Sequence, residues 1–487
     1  MRRMLSRRLF LLAPLPAATQ AANWPRFRGT DGAGLAAGPG ALPDRLEKPL
    51  WTAPTPPGHS SPIVWEDRIF LTAAEGGSRA DAGLNKVVDS GGKLSTLCLR
   101  RKDGRLLWHV EAPRPRLERY QPTNSPASPS VVTDGRIVFT FFGDFGLLAY
   151  THEGKELWRR PLGPFNNING HGSSPMLAGD LLILQCDQDT NSYLLAVHKQ
   201  TGKTAWKVER PEVTRSYSTP VLYQPPRGPR ELIVPGSYLV TGYDAATGQR
   251  LWWVRGMSWQ TKSAAVLANG IVYVHGWEAG GEAEQPAETL AWDEARRKFD
   301  ANRDGRITQA ELAASDDRLG RGMVNNDLNY DGALTENEWE NYRARRASRN
   351  TLMALRPGGR GDVTASHILW RMQKFLPNVP SPLVYDGILY LIKDGGILSA
   401  IDAATGEIFK QARLDGALDT YYASPVAGDG KVYLLSQPGK ATVVKAGKQW
   451  EVLSQADMDD ECYATPALVD GRVYLRTRSA LRCYAVK

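Results

Sequence analysis

Cysteine is scarce in this chain. Four occur in 487 residues, Cys98, Cys186, Cys462 and Cys483, scattered and without a CxxC or CxxCH pair. That excludes a zinc ribbon and covalently attached haem. No cysteine follows the small residues around Ala21, so no lipoprotein site is expected there. Long hydrophobic runs are missing too. Residues 9–18 are apolar but too few to span a bilayer, and no later stretch is a transmembrane candidate. Dense basic runs are absent. Of the formal charge of +8, four belong to Arg2, Arg3, Arg7 and Arg8, leaving +4 on the rest. Nucleic acid is therefore not an expected partner. No order of serine, histidine and acid stands out as a hydrolytic triad.

The basic start, short apolar run and small residues before Ala22 predict an export signal over residues 1–21. Residues 6–11, SRRLFL, are similar to the twin-arginine export motif, with Leu12 where a lysine is usual. General secretion is the alternative. Either route leads to the periplasm or the cell exterior.

What is abundant is repetition. Residues 196–206, AVHKQTGKTAW, set the pattern: a small apolar pair, a turn cluster ending in glycine, and a closing tryptophan. Residues 98–108 and 242–252 repeat the spacing, 400–410 repeats it with Lys410 in the tryptophan's place, and 149–158 is one residue shorter. Glycine-containing pairs between short β-prone runs predict hairpins. The tryptophan is a large apolar plug for an outer strand to bury against its neighbour. A second phrase, Ser-Pro or similar, starts at Ser61, Ser128, Ser174, Thr219, Ser263, Ser381, Ser424 and Thr465. Without inserts the step is 41 to 46 residues. Four strands per step predict an all-β, eight-bladed β-propeller over residues 22–487. The eighth repeat lacks a fourth strand. Residues 47–53, with Trp51 as plug, are expected to supply it and close the ring from both termini. Cys98 and Cys483 then occupy equivalent positions in neighbouring blades, which leaves a ring-closing disulfide or buried free thiols open. Residues 23–34 predict a strap over the ring, and residues 75–94 a polar loop in blade 1.

Blade 5 is interrupted by a small α-helical insert, residues 285–350, that carries two twelve-residue calcium loops. The first, DANRDGRITQAE, offers Asp300, Asn302, Asp304, the Arg306 carbonyl, Thr308 and Glu311. The second, DLNYDGALTENE, offers Asp327, Asn329, Asp331, the Ala333 carbonyl, Thr335 and Glu338. Gly305 and Gly332 sit where such a loop turns sharply, and Ile307 and Leu334 where paired loops meet. Ca²⁺ takes six to eight oxygens in a flexible cage, and this spacing supplies them. Phe299, Leu312 and Trp339 are expected to build a small shared core. Blade topology puts the loop between strands two and three on the face where strand one begins. The insert is therefore expected beside the central mouth.

The connectors converging on that mouth carry His59, Asn124, His171, Tyr217, Trp259, Gln260, Lys262, Asn378, Tyr421, Tyr422, Glu461 and Tyr463. Convergent polar and aromatic groups over a cavity predict a ligand site. His171, Tyr217, Trp259, Lys262 and Tyr422 are the candidate cofactor-binding residues, since tryptophan and lysine can stack and pair with a planar anionic quinone. Partners expected at the mouth are proteins or a small ligand.

The AxDxxTGxxxW-type repeats resemble those of the pyrroloquinoline-quinone (PQQ) repeat propellers, which include quinoprotein alcohol dehydrogenases and the assembly factor BamB. The insert resembles EF-hands. The resemblance implies the propeller fold and two alternatives of function. One is a non-catalytic, calcium-binding scaffold for binding or assembly. The other is a PQQ-dependent alcohol or sugar dehydrogenase using the mouth. Adjacent cysteines typical of the dehydrogenases are absent, and no residue maps onto their catalytic aspartate.

Overall fold

The small residue that opens each repeat folds directly opposite the tryptophan that closes it. In the computed structural model, which describes residues 22–83, 86–282 and 288–486, Cys98 pairs with Trp108, Ala149 with Trp158, and Ala196 with Trp206. A β-bulge follows each small residue and bends the strand toward the turn. The turn is built by its own side chains. Asp244 Oδ1 accepts the N–H groups of Ala246 and Thr247, and Gly248 follows at φ +75°, a conformation that favours glycine.

The tryptophan then covers the turn glycine of the next blade. A Cβ at Gly104, Gly154, Gly202 or Gly248 would lie under 3 Å from Trp51, Trp108, Trp158 or Trp206 respectively. Indole N–H groups complete the contact: Trp108 donates to the His152 carbonyl at 2.7 Å, Trp158 to the Lys199 carbonyl at 2.9 Å. Lys410, the deviant position, keeps the role by other means. Its Nζ donates to the Trp450 carbonyl and lies 4.1 Å from that ring's centroid.

Eight four-stranded antiparallel units result, each running from the axis outward. The innermost strands are Ile63–Trp65, Val132–Thr133, Met176–Ala178, Val221–Tyr223, Val266–Ala268, Leu383–Tyr385, Val426–Gly428 and Ala467–Val469. Trp51–Pro54 pairs with Ala480–Ala485, so the two ends of the described chain close blade 8 as the repeat count predicts. The export segment, residues 1–21, lies outside the described residues. All four cysteines are buried free thiols, Cys98 and Cys483 included. No helix among the described residues is long and apolar enough to cross a membrane.

Three features depart from the repeat. Gly361–Asp362 adds a fifth, parallel strand to blade 4 against Arg250–Arg255. The cause is local: residues 356–367 replace the tight turn of blade 5, so no turn glycine is offered to Trp252. That tryptophan folds over its own Gly242 and donates to Glu231 Oε2 at 2.7 Å. Second, the expected polar loop of blade 1 contains a hairpin, Ser78–Asp81 with Val87–Ser90. It is held by paired backbone bonds between Val87 and Tyr120. Third, the strap is a plug. Trp24 pairs with Val64 of blade 1, and residues 36–37 bond blades 7 and 8. Between them Arg26 donates to the Pro220 carbonyl and Arg28 to those of Pro382 and Pro425, at the inner ends of blades 4, 6 and 7.

The axis itself is ringed by hydroxyls. The Ser61 N–H donates to Ser130 Oγ, Ser130 to Ser174, Ser174 to Thr219, Ala264 to Ser381, Ser381 to Ser424, Ser424 to Thr465, and Thr465 back to Ser61. One link is missing, because Ala264 has no hydroxyl for the Thr219 N–H. Ala264→Ser completes the belt. A net gain of about 1 kcal/mol is expected, seen as a higher urea midpoint; an unchanged or lower midpoint contradicts this role for the belt.

Candidate functional site

A cavity of about 530 Å³ opens at the axis on the mouth face. Its floor is the hydroxyl belt together with Phe27 of the strap. Its walls come from the connectors that enter each innermost strand, because eight such connectors converge where the blades are narrowest. Of the sequence-selected mouth residues, His59, Asn124, Tyr217, Trp259, Gln260, Lys262, Asn378, Tyr422 and Tyr463 line it. His171, Tyr421 and Glu461 do not. His171 is packed edge-on against Phe141 and Phe165, with ring centroids at 5.1 and 4.3 Å, and burial followed by the Arg116 charge lowers its pKa to about 3. Glu461 pairs with Arg478, and Tyr421 is buried with its hydroxyl on the Ala417 carbonyl.

Two wall groups are set by their neighbours. His59 stacks on Tyr463 at 3.9 Å, and Tyr422 leans on the same tyrosine at 5.3 Å. Burial, then the cations Arg476, Arg79 and Arg478, bring the His59 pKa down to about 3, so the ring is neutral. Lys262 donates to Asn378 Oδ1 at 2.8 Å, and its Nζ lies 5.5 Å from the Trp277 ring centroid. Burial lowers its pKa to about 8.

The insert roofs this cavity. It comprises α1 (Trp292–Phe299), α2 (Gln309–Ser315), α3 (Asp317–Gly322) and α4 (Glu336–Ala347), and the two loops meet through Ile307 paired with Leu334. Trp292, Phe299, Leu312, Met323 and Trp339 form its own apolar core, separate from those of the blades. Four contacts seat it on the ring. Tyr330, in the second loop, donates to Asp189, which is ion-paired with Arg215. Arg215 in turn donates to the Asn325 carbonyl at 3.1 Å. Asn166 donates to the Leu328 carbonyl at 2.7 Å. Finally Arg345 of α4 lies 3.9 Å from the Trp259 ring centroid and pairs with Glu278 at 2.5 Å. Asn325 and Arg345 are themselves cavity walls. The insert and the blade 1 hairpin, through Lys86, therefore share the mouth face, as topology predicts.

The two loops bond themselves in the same way. Asp300 accepts the N–H groups of Asp304 and Gly305, and Asp327 those of Asp331 and Gly332. Glu311 reaches back to Ala301 and Asn302, and Glu338 to Leu328 and Asn329. Thr308 and Thr335 cap α2 and α4 in reciprocal boxes with those glutamates. Arg306 crosses to Asp331 at 2.5 Å. Among the described residues no three His, Cys, Asp or Glu side chains are drawn together as a metal cluster.

Repeat pattern, ring closure and axial cavity are accompanied by a match along nearly the whole chain. Residues 46–170, 94–254 and 237–486 match the family described as outer membrane protein assembly factor BamB. The chain belongs to that family. Among solved structures, this BamB-family ring is similar to BamB from Moraxella catarrhalis, with TM-score 0.51 and 11% identity over 86% of this chain and 98% of that one. It is similar also to quinohemoprotein alcohol dehydrogenase from Comamonas testosteroni, with TM-score 0.55 and 10% identity over 95% and 80%. A europium-containing methanol dehydrogenase gives TM-score 0.56 and 11% identity over 95% and 91%. Likeness at these identities establishes the shared fold. No curated protein matches the chain by sequence.

Sequence reasoning missed Phe27, Lys86, Gln121, Asn169, Trp277, Glu278 and Arg345 as walls of this BamB-family mouth. Arg345 sits in a basic run, RARR, which on a helix ordinarily marks a solvated face. The hydroxyl belt did carry a signal: the Ser-Pro phrase marked each blade, although not the hydrogen bond it makes.

Proposed function

We propose that this chain is an exported, calcium-binding propeller that acts without catalysis, as a binding or assembly scaffold whose working surface is the roofed mouth. The observation that carries this reading is the cavity's construction: a hydroxyl-lined well, plugged below by the strap and covered above by a helical insert. Two wall groups, His59 and Glu278, favour binding over proton transfer. His59 is too weak a base at about 3, and the carboxylate of Glu278 is held by Arg345. BamB's name describes outer membrane assembly, and a protein or small-ligand partner at an exported ring is consistent with that.

The donor sets of both loops fit Ca²⁺. Asp300, Asn302, Asp304, the Arg306 carbonyl, Thr308 and Glu311 would hold one ion; Asp327, Asn329, Asp331, the Ala333 carbonyl, Thr335 and Glu338 the other. Calcium would supply charge compensation for each loop's three carboxylates and so fix the roof. A planar quinone fits less well. Trp259, the expected platform, is only 1% exposed and carries the guanidinium groups of Arg345 and Arg215 at 3.9 and 5.1 Å.

The test is calorimetric calcium titration of the chain beside Glu311→Gln with Glu338→Gln. Two sites are expected, both lost in the variant, with ring circular dichroism retained because the insert has its own core. Absence of calcium binding in the parent chain, or loss of the ring signal in the variant, overturns the proposal. A PQQ-dependent heat with dye reduction by alcohols would establish the dehydrogenase reading instead.

A further inference from the structure

The mouth is short of negative charge. Its charged walls are Lys86, Lys262, Arg345 and Glu278, a net +2. Arg345 and Glu278 neutralise each other. Lys86 and Lys262 are left, and each is hydrogen-bonded to a neutral amide oxygen: Gln121 Oε1 at 2.6 Å and Asn378 Oδ1 at 2.8 Å. Among the described residues neither has an ion-pair partner. A recessed ammonium with only an amide for company calls for an anion. The two enter from opposed sides. Lys86, in the turn of the blade 1 hairpin, is held by Gln121 of the connector into blade 2, and Lys262 by Asn378 of the connector into blade 6; in a ring of eight these connectors face each other across the axis. The cavity therefore suits two separated negative groups on one ligand.

The rest of the wall names the scaffold that joins them. Side-chain amides both donate and accept, as sugar hydroxyls do. Gln260 has no side-chain hydrogen bond among the described residues. Its backbone is held at φ +56°, the left-handed region, which fixes the side chain's position at the mouth. Asn169 gives its amide N–H to Tyr217, and its side-chain oxygen has no hydrogen-bond partner among the described residues. A flat aromatic dianion would leave such groups unpaired, and an unpaired buried polar group weakens binding.

We infer that the mouth cavity binds an acidic saccharide, a uronate-type sugar with carboxylates on two rings, one carboxylate at Lys86 and the other at Lys262. This rests on the binding reading above and gives it a ligand class.

The test is calorimetry of the full calcium-loaded chain with digalacturonate, with the neutral galactose disaccharide, and with PQQ as an aromatic tricarboxylate. Digalacturonate is expected to bind at least tenfold tighter than the neutral sugar, and to weaken with added salt. Lys86→Gln with Lys262→Gln is expected to lose at least tenfold. Lys262→Arg, which keeps the charge, is expected to retain binding, and circular dichroism checks that each variant is folded. Equal affinity for the neutral sugar, or full affinity in a folded double variant, overturns the inference. PQQ binding in place of digalacturonate overturns the saccharide class and leaves the mouth a ligand site. No binding of any probe overturns the inference and leaves only a protein-partner form of the scaffold reading.

Discussion

Asp189→Ala unseats the insert and destabilises the chain by about 3–5 kcal/mol, the usual cost of breaking a buried ion pair on one side. Asp189 and Arg215 have side chains of 0% exposure, so removing the carboxylate leaves a guanidinium buried without its counter-charge. The same change removes the acceptor for the Tyr330 hydroxyl, and with it the direct tie between the second loop and the ring. Arg215 then loses its fixed position under the Asn325 carbonyl. A built-in control separates the two consequences. Asp187 and Arg210 form a second pair of 0% exposure, linked to Tyr243 inside the ring and making no bond to the described residues of the insert. Asp187→Ala is expected to cost a similar amount of stability and to leave the insert seated. Urea unfolding reads the first effect. Limited proteolysis within residues 288–350 reads the second: cleavage accelerated in Asp189→Ala and not in Asp187→Ala. Equal cleavage in both variants would mean that Tyr330 does not anchor the roof.

Arg28→Met is the counterpart below the cavity. The Arg28 guanidinium donates to the carbonyls of Pro382 at 2.7 Å, Ala33 at 3.0 Å, Gly32 at 3.1 Å and Pro425 at 3.4 Å. Methionine fills similar space and donates nothing. Relief from burying a charge offsets part of the loss, since among the described residues no carboxylate forms an ion pair with this arginine. Four carbonyls without their donor outweigh that relief, because each charged hydrogen bond is worth about 1.5–3 kcal/mol. A net loss of about 3 kcal/mol is expected. The structural consequence is directional. The strap loosens, Phe27 leaves the floor, and the well becomes a through-channel. Faster exchange of the Ala36 and Ala37 amides, which bond blades 7 and 8, would report it. Unchanged stability would show that shape, not hydrogen bonding, holds the plug.

Most of the ring was legible before any coordinate. Local chemistry repeats every blade: a small residue facing a tryptophan, an Asp-capped turn, a glycine under the next indole. Eight starts and an orphan Trp51 strand were therefore enough to count and close the ring. The meeting of the two insert loops was equally legible, because Ile307 and Leu334 hold the same place in two twelve-residue segments of one spacing, and they pair. What could not be read was everything that depends on distant segments meeting. Arg26 and Arg28 look like surface charge in a Gly-rich strap, and only ring closure shows that they face strand-end carbonyls. Tyr330 sits at a loop position that ordinarily faces solvent; its partner Asp189 lies on blade 3. Lys86 and Lys262 oppose each other only because their partners Gln121 and Asn378 lie on the connectors into blades 2 and 6. Trp252 and the fifth strand at Gly361–Asp362 went unforeseen for the opposite reason, a local turn replaced by a longer one. His171 was drawn into the predicted site by its glycine-flanked loop, whereas packing against Phe141 and Phe165 decides where it points.

In the proposed function, calcium bound by the two insert loops holds a roof over a ligand well. Hydrogen exchange with and without Ca²⁺, on the parent chain and on Glu311→Gln with Glu338→Gln, tests it most directly. Calcium is expected to slow exchange beyond the insert, at mouth connector residues 166–172, 214–217 and 259–262, in the parent chain and not in the variant. Protection confined to residues 300–347, with the connectors unchanged, would contradict it and reduce the insert to an independent calcium-binding appendage.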